Sequence, residues 1–305
     1  MPPLSRGIDY VDVNFLGYPN IIASAVLHGP DGVALIDPGP STSLANLEAA
    51  LQRNGIAMRD LRHILLTHIH LDHAGAAGSI VKAHPHVDVY VHERGAPHLA
   101  DPSRLLSSAS RLYGQDMDRL WGEFLAVPQD RLRVLRGGEK IEVAGRTLDV
   151  AYTPGHASHH VSYFDPSSRI AFVGDTAGIR RGSGQYVMPA APPPDVDLEL
   201  WRGSEARILE WDPDTLFLTH FGPFNGARTH FQELMDRMVE WSRIAFRLVS
   251  DESLTEEERE ARFVAEGFQD LRRVVGVQEA EQYGRAGSIA YSWQGLARYW
   301  RKKAR

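Results

Sequence analysis

The sequence predicts an α/β protein, and two observations carry this prediction. From Ile21 to about His220 the chain consists mainly of short β-branched runs broken by Gly, Pro, Asp and Asn. Two other segments, Pro102 to Leu125 and Phe231 to the C-terminus, instead space their apolar residues as helices do. Strand runs mixed with helices in one chain are typical of sheets covered by helices.

The composition narrows the class of protein. The 305 residues include 33 Lys and Arg against 39 Asp and Glu, a formal charge of −6. A nucleic-acid-binding surface should be clearly basic, so we expect no such partner. There is no cysteine, which excludes disulfide scaffolds, thiol nucleophiles and thiolate zinc sites. No run approaches the roughly 18 apolar residues of a membrane helix, and the N-terminus lacks a secretory pattern. We therefore expect a cytoplasmic protein that does not bind membranes.

The individual elements can be taken in chain order. A strand run from Val33 to Ile36 ends at the turn sequence DPG. A helix is predicted from Leu44 to Leu51, with Ser41 or Ser43 as its N-cap. The later strand runs are His63 to Leu66, Val87 to Val91, Arg131 to Tyr152, Val161 to Phe164, Ile170 to Val173 and Leu216 to Leu218. The segment DPSS at 165–168 predicts a hairpin between two of them.

The two helical segments have apolar faces. In the first, the predicted inward residues are Leu105, Leu112, Leu120 and Phe124. In the second, the apolar face consists of Leu234, Met238, Trp241 and Ile244. Thr255 with Glu258 forms a capping-box pattern that starts a further helix. Each segment could cover the core, wall a cleft or form the surface of a homodimer.

The segment THIHLDHAG carries the chemistry. It places His68, His70, Asp72 and His73 within six residues, directly after an apolar run. Alternate residues of an extended chain share a face, so the first two histidines can point to one side. Imidazole and carboxylate groups without sulfur are ligands that zinc, iron and manganese accept.

Three more candidate ligands follow later strand runs. His156 comes after the sequence TPG, Asp175 after IAFVG, and His220 after LFLT. Polar residues just past buried strands are a recurring place for sites in α/β proteins. The whole set offers five histidines and two aspartates, which is enough for two metals if one carboxylate bridges them.

The ordered motifs IDPG, THIHLDHAG, TPGHASHH, FVGDTAG and LTHFGP resemble those of the metallo-β-lactamase superfamily. The resemblance runs from about Ile21 to Pro223. It implies an αβ/βα sandwich of two mixed sheets with outer helices, metals at one edge and a C-terminal helical extension. We accordingly predict a catalytic domain over residues 1–230, with a helical insertion at about 100–127, and the extension over 231–305.

The resemblance also implies a role for each candidate ligand. His68, His70 and His156 would bind one metal; Asp72, His73 and His220 would bind the second; Asp175 would bridge them. Asp37 would orient a ligand rather than bind a metal. The implied cofactors are two divalent metal ions, zinc first and iron or manganese as alternatives. The implied nucleophile is a metal-bridging hydroxide, oriented in part by Asp72.

Several branches of the superfamily fit poorly. The missing cysteine disfavours β-lactamases with a cysteine ligand, and His70 stands where the flavin-linked diiron branch has glutamate. The charge of −6 offers no attraction to RNA phosphates. Hydrolases of small esters, thioesters or lactones remain. Ile69 replaces a histidine usual in hydroxyacylglutathione hydrolases, whereas Tyr186 is a candidate counterpart of a lactonase tyrosine.

Three alternatives stay open. The first is a mononuclear iron persulfide dioxygenase that uses His68, His70 and His156. The second is phosphodiester or phosphotriester hydrolysis on the same metals, and the third is a binding protein that retains the metals structurally. Candidate pocket residues near the motifs are Tyr18, Tyr186, Phe221 and Phe224, each of which could equally be packing.

Overall fold

The computed structural model describes residues 1–304, in which thirteen strands form two mixed sheets. The strands are β1 Pro3–Ser5, β2 Ile8–Asp12, β3 Ala23–Gly29, β4 Gly32–Ile36, β5 Leu61–Leu65, β6 Asp88–His92, β7 Leu132–Leu135, β8 Lys140–Val143, β9 Arg146–Tyr152, β10 Val161–Asp165, β11 Ile170–Phe172, β12 Thr215–Leu218 and β13 Gly222–Asn225. The helices are α1 Leu44–Arg53, α2 Leu71–Ala74, α3 Ala77–Ala83, α4 Ala96–Ala100, α5 Ser103–Tyr113, α6 Met117–Trp121, α7 Leu198–Leu209, α8 Ala227–Val249, α9 Glu256–Ala286 and α10 Ile289–Lys303.

The first sheet follows the chain from β1 to β7, and the second has the order β13-β12-β11-β10-β9-β8. β4 to β7 run parallel, as do β11 and β12, whereas the other neighbours are antiparallel. Apolar residues of both sheets, such as Leu27 and Phe172, share one buried cluster between the sheets. Helices α1 and α3 pack on the outer face of the first sheet, and α7 and α8 pack on the second. The predicted αβ/βα sandwich is therefore confirmed.

The sequence-based elements agree with the structure in most places. The hairpin across 165–168 is confirmed by antiparallel pairing of β10 with β11. The capping box is confirmed as well: Glu258 N–H donates to Thr255 Oγ1 at 3.2 Å, and Thr255 N–H donates to Glu258 Oε2 at 2.8 Å. The strands β1, β2 and β13 were not predicted. β1 and β13 have only three and four residues, too few to show an alternating pattern.

The prediction that Ser41 or Ser43 is the N-cap of α1 is confirmed for Ser43. Ser43 occupies the N-cap position, but its side chain makes no capping hydrogen bond. Ser41 Oγ instead donates to the carbonyl oxygens of Gly75, at 2.9 Å, and of Glu123. These two contacts tie the turn before α1 to the end of α2 and to the segment after α6. A hydroxyl engaged in this way is not available to cap the helix.

The C-terminal helices form their own buried cluster. Trp241, Phe263 and Trp293 pack together there, with ring centroids 5.6 Å apart in each successive pair. α8 begins at Ala227, slightly before position 231, and the division of the chain into two units stays a prediction. No helix within residues 1–304 is both long enough and apolar enough to cross a membrane.

The close approach of β3 to the β8–β9 turn gives a stability prediction. A Cβ built on Gly29 would lie 1.7 Å from the carbonyl oxygen of Ala144, which is backbone and cannot swing away. We expect Gly29→Ala to lower the free energy of unfolding by about 2 kcal/mol or more, measured by urea denaturation with matched metal content.

Gly203, an exposed residue in α7, is the matched control. A Cβ there meets nothing within 4 Å, so Gly203→Ala should stabilise the protein by about 0.5–1 kcal/mol through helix propensity. Equal stability of the two variants would contradict the tight contact between the strand end and the turn.

Candidate metal centre

The seven predicted ligands lie at one edge of the two sheets. His68 and His70 follow β5, and the short helix α2 continues the segment with Asp72 and His73. His156, Asp175 and His220 follow β9, β11 and β12 in the second sheet. The structure brings them together in three overlapping groups whose ligand atoms lie within 4.8 Å of one another: His68, His70 and His156; His68, His73 and Asp175; and Asp72, His73 and His220.

The first group presents three imidazole nitrogens to a common point. His70 Nδ1 lies 2.9 Å from His68 Nε2 and 3.0 Å from His156 Nε2. Burial lowers the pKa of His70 to about 3, and the neighbouring His156 contributes to this. Burial also lowers the pKa values of His68 and His156, and the neighbouring His73 contributes to both shifts. The three rings are therefore neutral and can offer lone pairs to a cation.

The second group mixes imidazoles with carboxylates. His220 Nε2 lies 3.2 Å from Asp72 Oδ2, and His73 Nε2 lies 3.7 Å from the same oxygen. Asp175 spans the two groups: its Oδ1 is 3.3 Å from His73 Nε2, and its Oδ2 is 3.6 Å from His156 Nε2. This is the placement that a bridging carboxylate requires.

The pKa shifts in this second group differ from those in the group of three neutral histidines. Burial raises the pKa of Asp72, but the imidazoles of His73 and His220 outweigh it and hold the pKa at about 2. Burial lowers the pKa of His73, but the carboxylates of Asp175, Asp72 and Asp37 outweigh it and raise the pKa well above its usual value. Burial also lowers the pKa of His220, but the carboxylates of Asp175 and Asp72 outweigh it and raise the pKa above its usual value. In the metal-free protein, both imidazoles of this group therefore favour the protonated form.

Four of the imidazoles are held by a partner on the ring nitrogen that faces away from the centre. His156 Nδ1 donates to the carbonyl oxygen of Ala190 at 2.7 Å, and His220 Nδ1 donates to that of Ile21 at 2.8 Å. His73 Nδ1 lies 2.8 Å from Asp37 Oδ2, and His68 Nδ1 lies 3.1 Å from the Thr67 hydroxyl. These partners fix ring orientation and leave the Nε2 lone pair for a ligand bond.

Asp37 connects the centre to the strand ends. Its carboxylate accepts hydrogen bonds from Thr67 N–H at 2.8 Å, from the Thr67 hydroxyl at 2.7 Å and from the Thr219 hydroxyl at 2.8 Å, besides the contact with His73. The side chain is fully buried. It lies where the sequence predicted a residue that orients a ligand.

Unpartnered buried atoms show that the centre fits cations. His73 Nε2 and Asp175 Oδ1 are buried 3.3 Å apart and make no well-aligned hydrogen bond to each other or to another group, an arrangement that costs free energy unless a ligand satisfies both atoms. The donors around them are imidazole nitrogens and carboxylate oxygens, which suit zinc, iron and manganese. The residues present therefore fit two adjacent divalent ions.

Two further histidines lie beside the centre but are held otherwise. His160 Nδ1 contacts the hydroxyls of Thr153 at 2.9 Å and Thr176 at 3.2 Å, and its ring stacks on His68. His159 Nδ1 accepts a hydrogen bond from Ile69 N–H at 3.4 Å. His160 is not one of the seven predicted ligands.

Two cavities meet at the centre, and His70 and Tyr113 line both. The smaller cavity, here called the chamber, holds about 210 Å³ and is lined by Asp72, Asp175 and His220 together with mainly apolar residues. The larger one, here called the groove, holds about 630 Å³ and runs past His159 between α5 and α10. The sequence did not decide whether the two helical segments cover the core, wall a cleft or form a dimer surface. Both contribute residues to the walls of the cleft.

The aromatic side chains that line the chamber are not those singled out in the sequence. Phe15, Tyr113, Trp121 and Tyr291 line it. Tyr186 instead turns into the C-terminal helices, where its hydroxyl donates to Asp270 at 2.8 Å, and Tyr18, Phe221 and Phe224 line neither cavity. No local sequence pattern points to Tyr113, because this residue reaches the chamber from α5, about forty residues after the HxHxDH segment.

Comparisons with known proteins agree with this geometry. Residues 17–220 match the sequence model of the metallo-beta-lactamase superfamily. The metallo-beta-lactamase fold-containing protein ST1585 of Sulfurisphaera tokodaii is 27% identical over 221 residues, 71% of this chain and 79% of that protein. The Probable metallo-hydrolase YflN of Bacillus subtilis is 30% identical over 233 residues, 68% of this chain and 83% of that protein.

A hydroxyacylglutathione hydrolase of Legionella pneumophila is 27% identical over 141 residues, but this match spans only 46% of the chain and 41% of that relative. Among solved structures, the metallo-beta-lactamase family protein TTHA1429 of Thermus thermophilus superposes with a TM-score of 0.75 at 24% identity, over 99% of this chain and 95% of that one. Family match, fold and the order of the ligand motifs coincide, and the chain belongs to the metallo-β-lactamase superfamily.

Proposed function

We propose that this protein is a metal-dependent hydrolase of a small ester, thioester or lactone that works with two divalent cations, zinc in the first place. The observation that carries the proposal is the convergence of seven donor side chains, two of which, His73 and Asp175, present buried atoms that make no well-aligned hydrogen bond. A structural ion would not need a centre that opens into two cavities.

Each metal has its own set of donors in this proposal. His68, His70 and His156 would hold one cation, Asp72, His73 and His220 would hold the other, and Asp175 would be shared by both. Bound divalent cations lower the pKa of a coordinated water and polarise a carbonyl oxygen. The second set is complete, which favours two metals over the mononuclear iron site of a persulfide dioxygenase.

The protein's own groups position the reactants. The Asp72 carboxylate, which lines the chamber, accepts a hydrogen bond from the attacking water and turns its lone pair towards the substrate. Tyr113 lies at the junction of chamber and groove, where its hydroxyl can donate to the carbonyl oxygen as negative charge develops. Packing against Trp121 and Tyr291, at centroid distances of 5.1 and 5.4 Å, holds this ring in place.

Elemental analysis combined with a substrate panel tests the proposal. We expect about two metal ions per chain, as the donor set requires, and turnover of at least one of a set of esters, thioesters and lactones. One iron per chain with oxygen uptake on a persulfide would contradict it in favour of the dioxygenase. Turnover of phosphodiesters alone would contradict the carbonyl substrate.

The bridging role of Asp175 gives a direct prediction. Asp175→Ala should reduce the metal content to one ion or none and lower hydrolysis by about a hundredfold or more, because the shared ligand is lost. Metal content by mass spectrometry and steady-state rates check this. His84→Ala and His86→Ala serve as controls that should stay within a few fold of wild type, since neither residue lines the chamber or the groove.

Asp37 should act through His73. Asp37→Asn replaces an acceptor with an amide that cannot receive all four donors, so we expect metal affinity to fall about 10- to 100-fold, as measured by competition with a chelator. Asp9 forms a comparable contact with His28, at 2.8 Å, outside the centre. Asp9→Asn should leave metal affinity unchanged, and equal losses in the two variants would count against a specific role for Asp37.

Tyr113 should assist the carbonyl chemistry. Tyr113→Phe removes one donor at the cavity junction, and we expect kcat to fall about tenfold or more with metal content unchanged. The matched control is Tyr186→Phe, whose hydroxyl is bound to Asp270. If the two variants have the same kcat, Tyr113 does not contact the reacting carbonyl.

A further inference from the structure

The groove has an unusual charge for this protein. Its lining includes four arginines, Arg94, Arg104, Arg111 and Arg298, against a single carboxylate, Asp195. The chain as a whole carries a formal charge of −6. The Asp195 carboxylate already accepts hydrogen bonds from the backbone N–H and the hydroxyl of Ser158. The groove is therefore a local concentration of positive charge beside the metal centre.

The four arginines have no acidic partners. Within residues 1–304, no carboxylate oxygen lies within 4.0 Å of their side-chain nitrogens. Arginines elsewhere on the surface commonly do pair: Arg133 lies 2.9 Å from Asp88, and Arg136 lies 2.9 Å from Glu93. Arg94 has only an aromatic neighbour, the ring of Tyr152 at 5.7 Å. Arg111 Nη1 donates to the Ser107 hydroxyl at 3.3 Å. The exposed guanidinium groups thus keep most of their donors available for an anion.

Three separate elements supply these arginines to the same groove. Arg94 follows β6, Arg298 lies on α10, and Arg104 and Arg111 lie on α5. The spacing of Arg104, Ser108 and Arg111 is i, i+4 and i+7, which places all three on one face of α5, and all three line the groove. Convergence of the 94–111 segment with α10, from the other end of the chain, argues for a binding surface rather than a solvated helix face.

The chamber on the other side of the centre has the opposite character. Phe15, Leu120, Trp121 and Ile179 line it, and its acidic residues are the proposed metal ligands. Arg285 is the only cation among its described lining residues, and its guanidinium stacks over the Tyr18 ring at 4.3 Å. A short apolar group fits this space. An anionic group is accommodated better by the groove.

We propose that the groove binds a phosphate-bearing leaving group, so that the substrate is an ester or thioester with a short apolar acyl group in the chamber and a polyanionic alcohol or thiol in the groove. The inference rests on the proposed hydrolase function and names its substrate class. Arginine pairs with phosphate oxygens through two parallel N–H donors. Four guanidinium groups offset by one carboxylate match several phosphate charges better than a single carboxylate.

The reaction balances with water as the only second reactant. The water oxygen bonds to the acyl carbon, and the acyl–sulfur or acyl–oxygen bond breaks with its electron pair on the leaving atom. That atom takes up a proton, which gives a carboxylic acid and a free thiol or alcohol. No oxidant or reductant is needed.

Three thioesters with the same butyryl group and different thiols test the proposal on the metal-loaded protein. They are butyryl-coenzyme A, which carries phosphates, S-butyrylglutathione, which carries carboxylates, and S-butyryl-N-acetylcysteamine, which is neutral. We expect kcat/KM for the phosphate-bearing thioester to exceed that for the neutral one about tenfold or more. The advantage should shrink as salt rises from about 0.05 to about 0.5 M. Preference for the glutathione thioester would overturn the phosphate assignment.

Reversing the charge of two groove arginines tests whether they cause the preference for the phosphate-bearing thioester. Arg104→Glu combined with Arg298→Glu should lower the ratio of kcat/KM between the phosphate-bearing and neutral thioesters about tenfold or more. The matched control combines Arg53→Glu with Arg272→Glu, two exposed arginines on α1 and α9 that line neither cavity. It changes the net charge equally and should keep the wild-type ratio. The single changes Arg104→Gln and Arg298→Gln replace the double variant if circular dichroism shows that it is unfolded.

Binding measurements separate failure of this inference from failure of the hydrolase function. S-methyl-coenzyme A and S-methylglutathione have no thiol to bind a metal, and calorimetry gives their Kd values directly. Tight binding of the phosphate-bearing thioether without turnover of any thioester or ester would uphold the groove and reject the hydrolase. Turnover of all three thioesters at equal kcat/KM, with no selective binding, would uphold the hydrolase and show that the arginines are only solvated.

Discussion

The buried carboxylate of Asp37 is the interaction on which the arrangement of the metal centre depends. It is hydrogen-bonded to Thr67, which follows β5, to His73 in α2 and to Thr219, which follows β12. These bonds connect the strand ends of both sheets at one carboxylate. A carboxylate without water is costly unless its oxygens are fully hydrogen-bonded. The four donors meet this condition only when the two sheets are in register, which makes the position of the ligands a consequence of correct folding.

The centre combines two protonation environments that a single set of residues could not provide. His68, His70 and His156 stay neutral because burial lowers their pKa values, whereas the neighbouring carboxylates raise the pKa values of His73 and His220. Cations would replace protons on these two imidazoles and satisfy the carboxylates directly. Metal binding should therefore release a proton and be coupled to stability, as linkage requires.

The sequence alone predicted the parts of the protein that rest on local patterns. The strand ends that carry His156, Asp175 and His220 follow β-branched runs, and such runs are visible without the structure. The layered fold came from the resemblance of ordered motifs, not from composition. What could not be predicted depends on tertiary contacts: Ser41 serves distant carbonyls instead of capping α1, and Tyr113 rather than Tyr186 lines the chamber. A helical period shows which face is apolar, but it does not show which neighbour that face meets.

The elements that hold the proposed ligands differ from those that form the outer walls of the cleft. The ligands come from strand ends and α2, whereas three of the four groove arginines and most of the aromatic side chains come from α5, α6 and α10. Exchanging residues on these outer helices leaves Asp37 and its hydrogen bonds untouched. Related chains could in this way acquire new substrates by altering a few helical positions, while the bond-breaking apparatus is inherited without change.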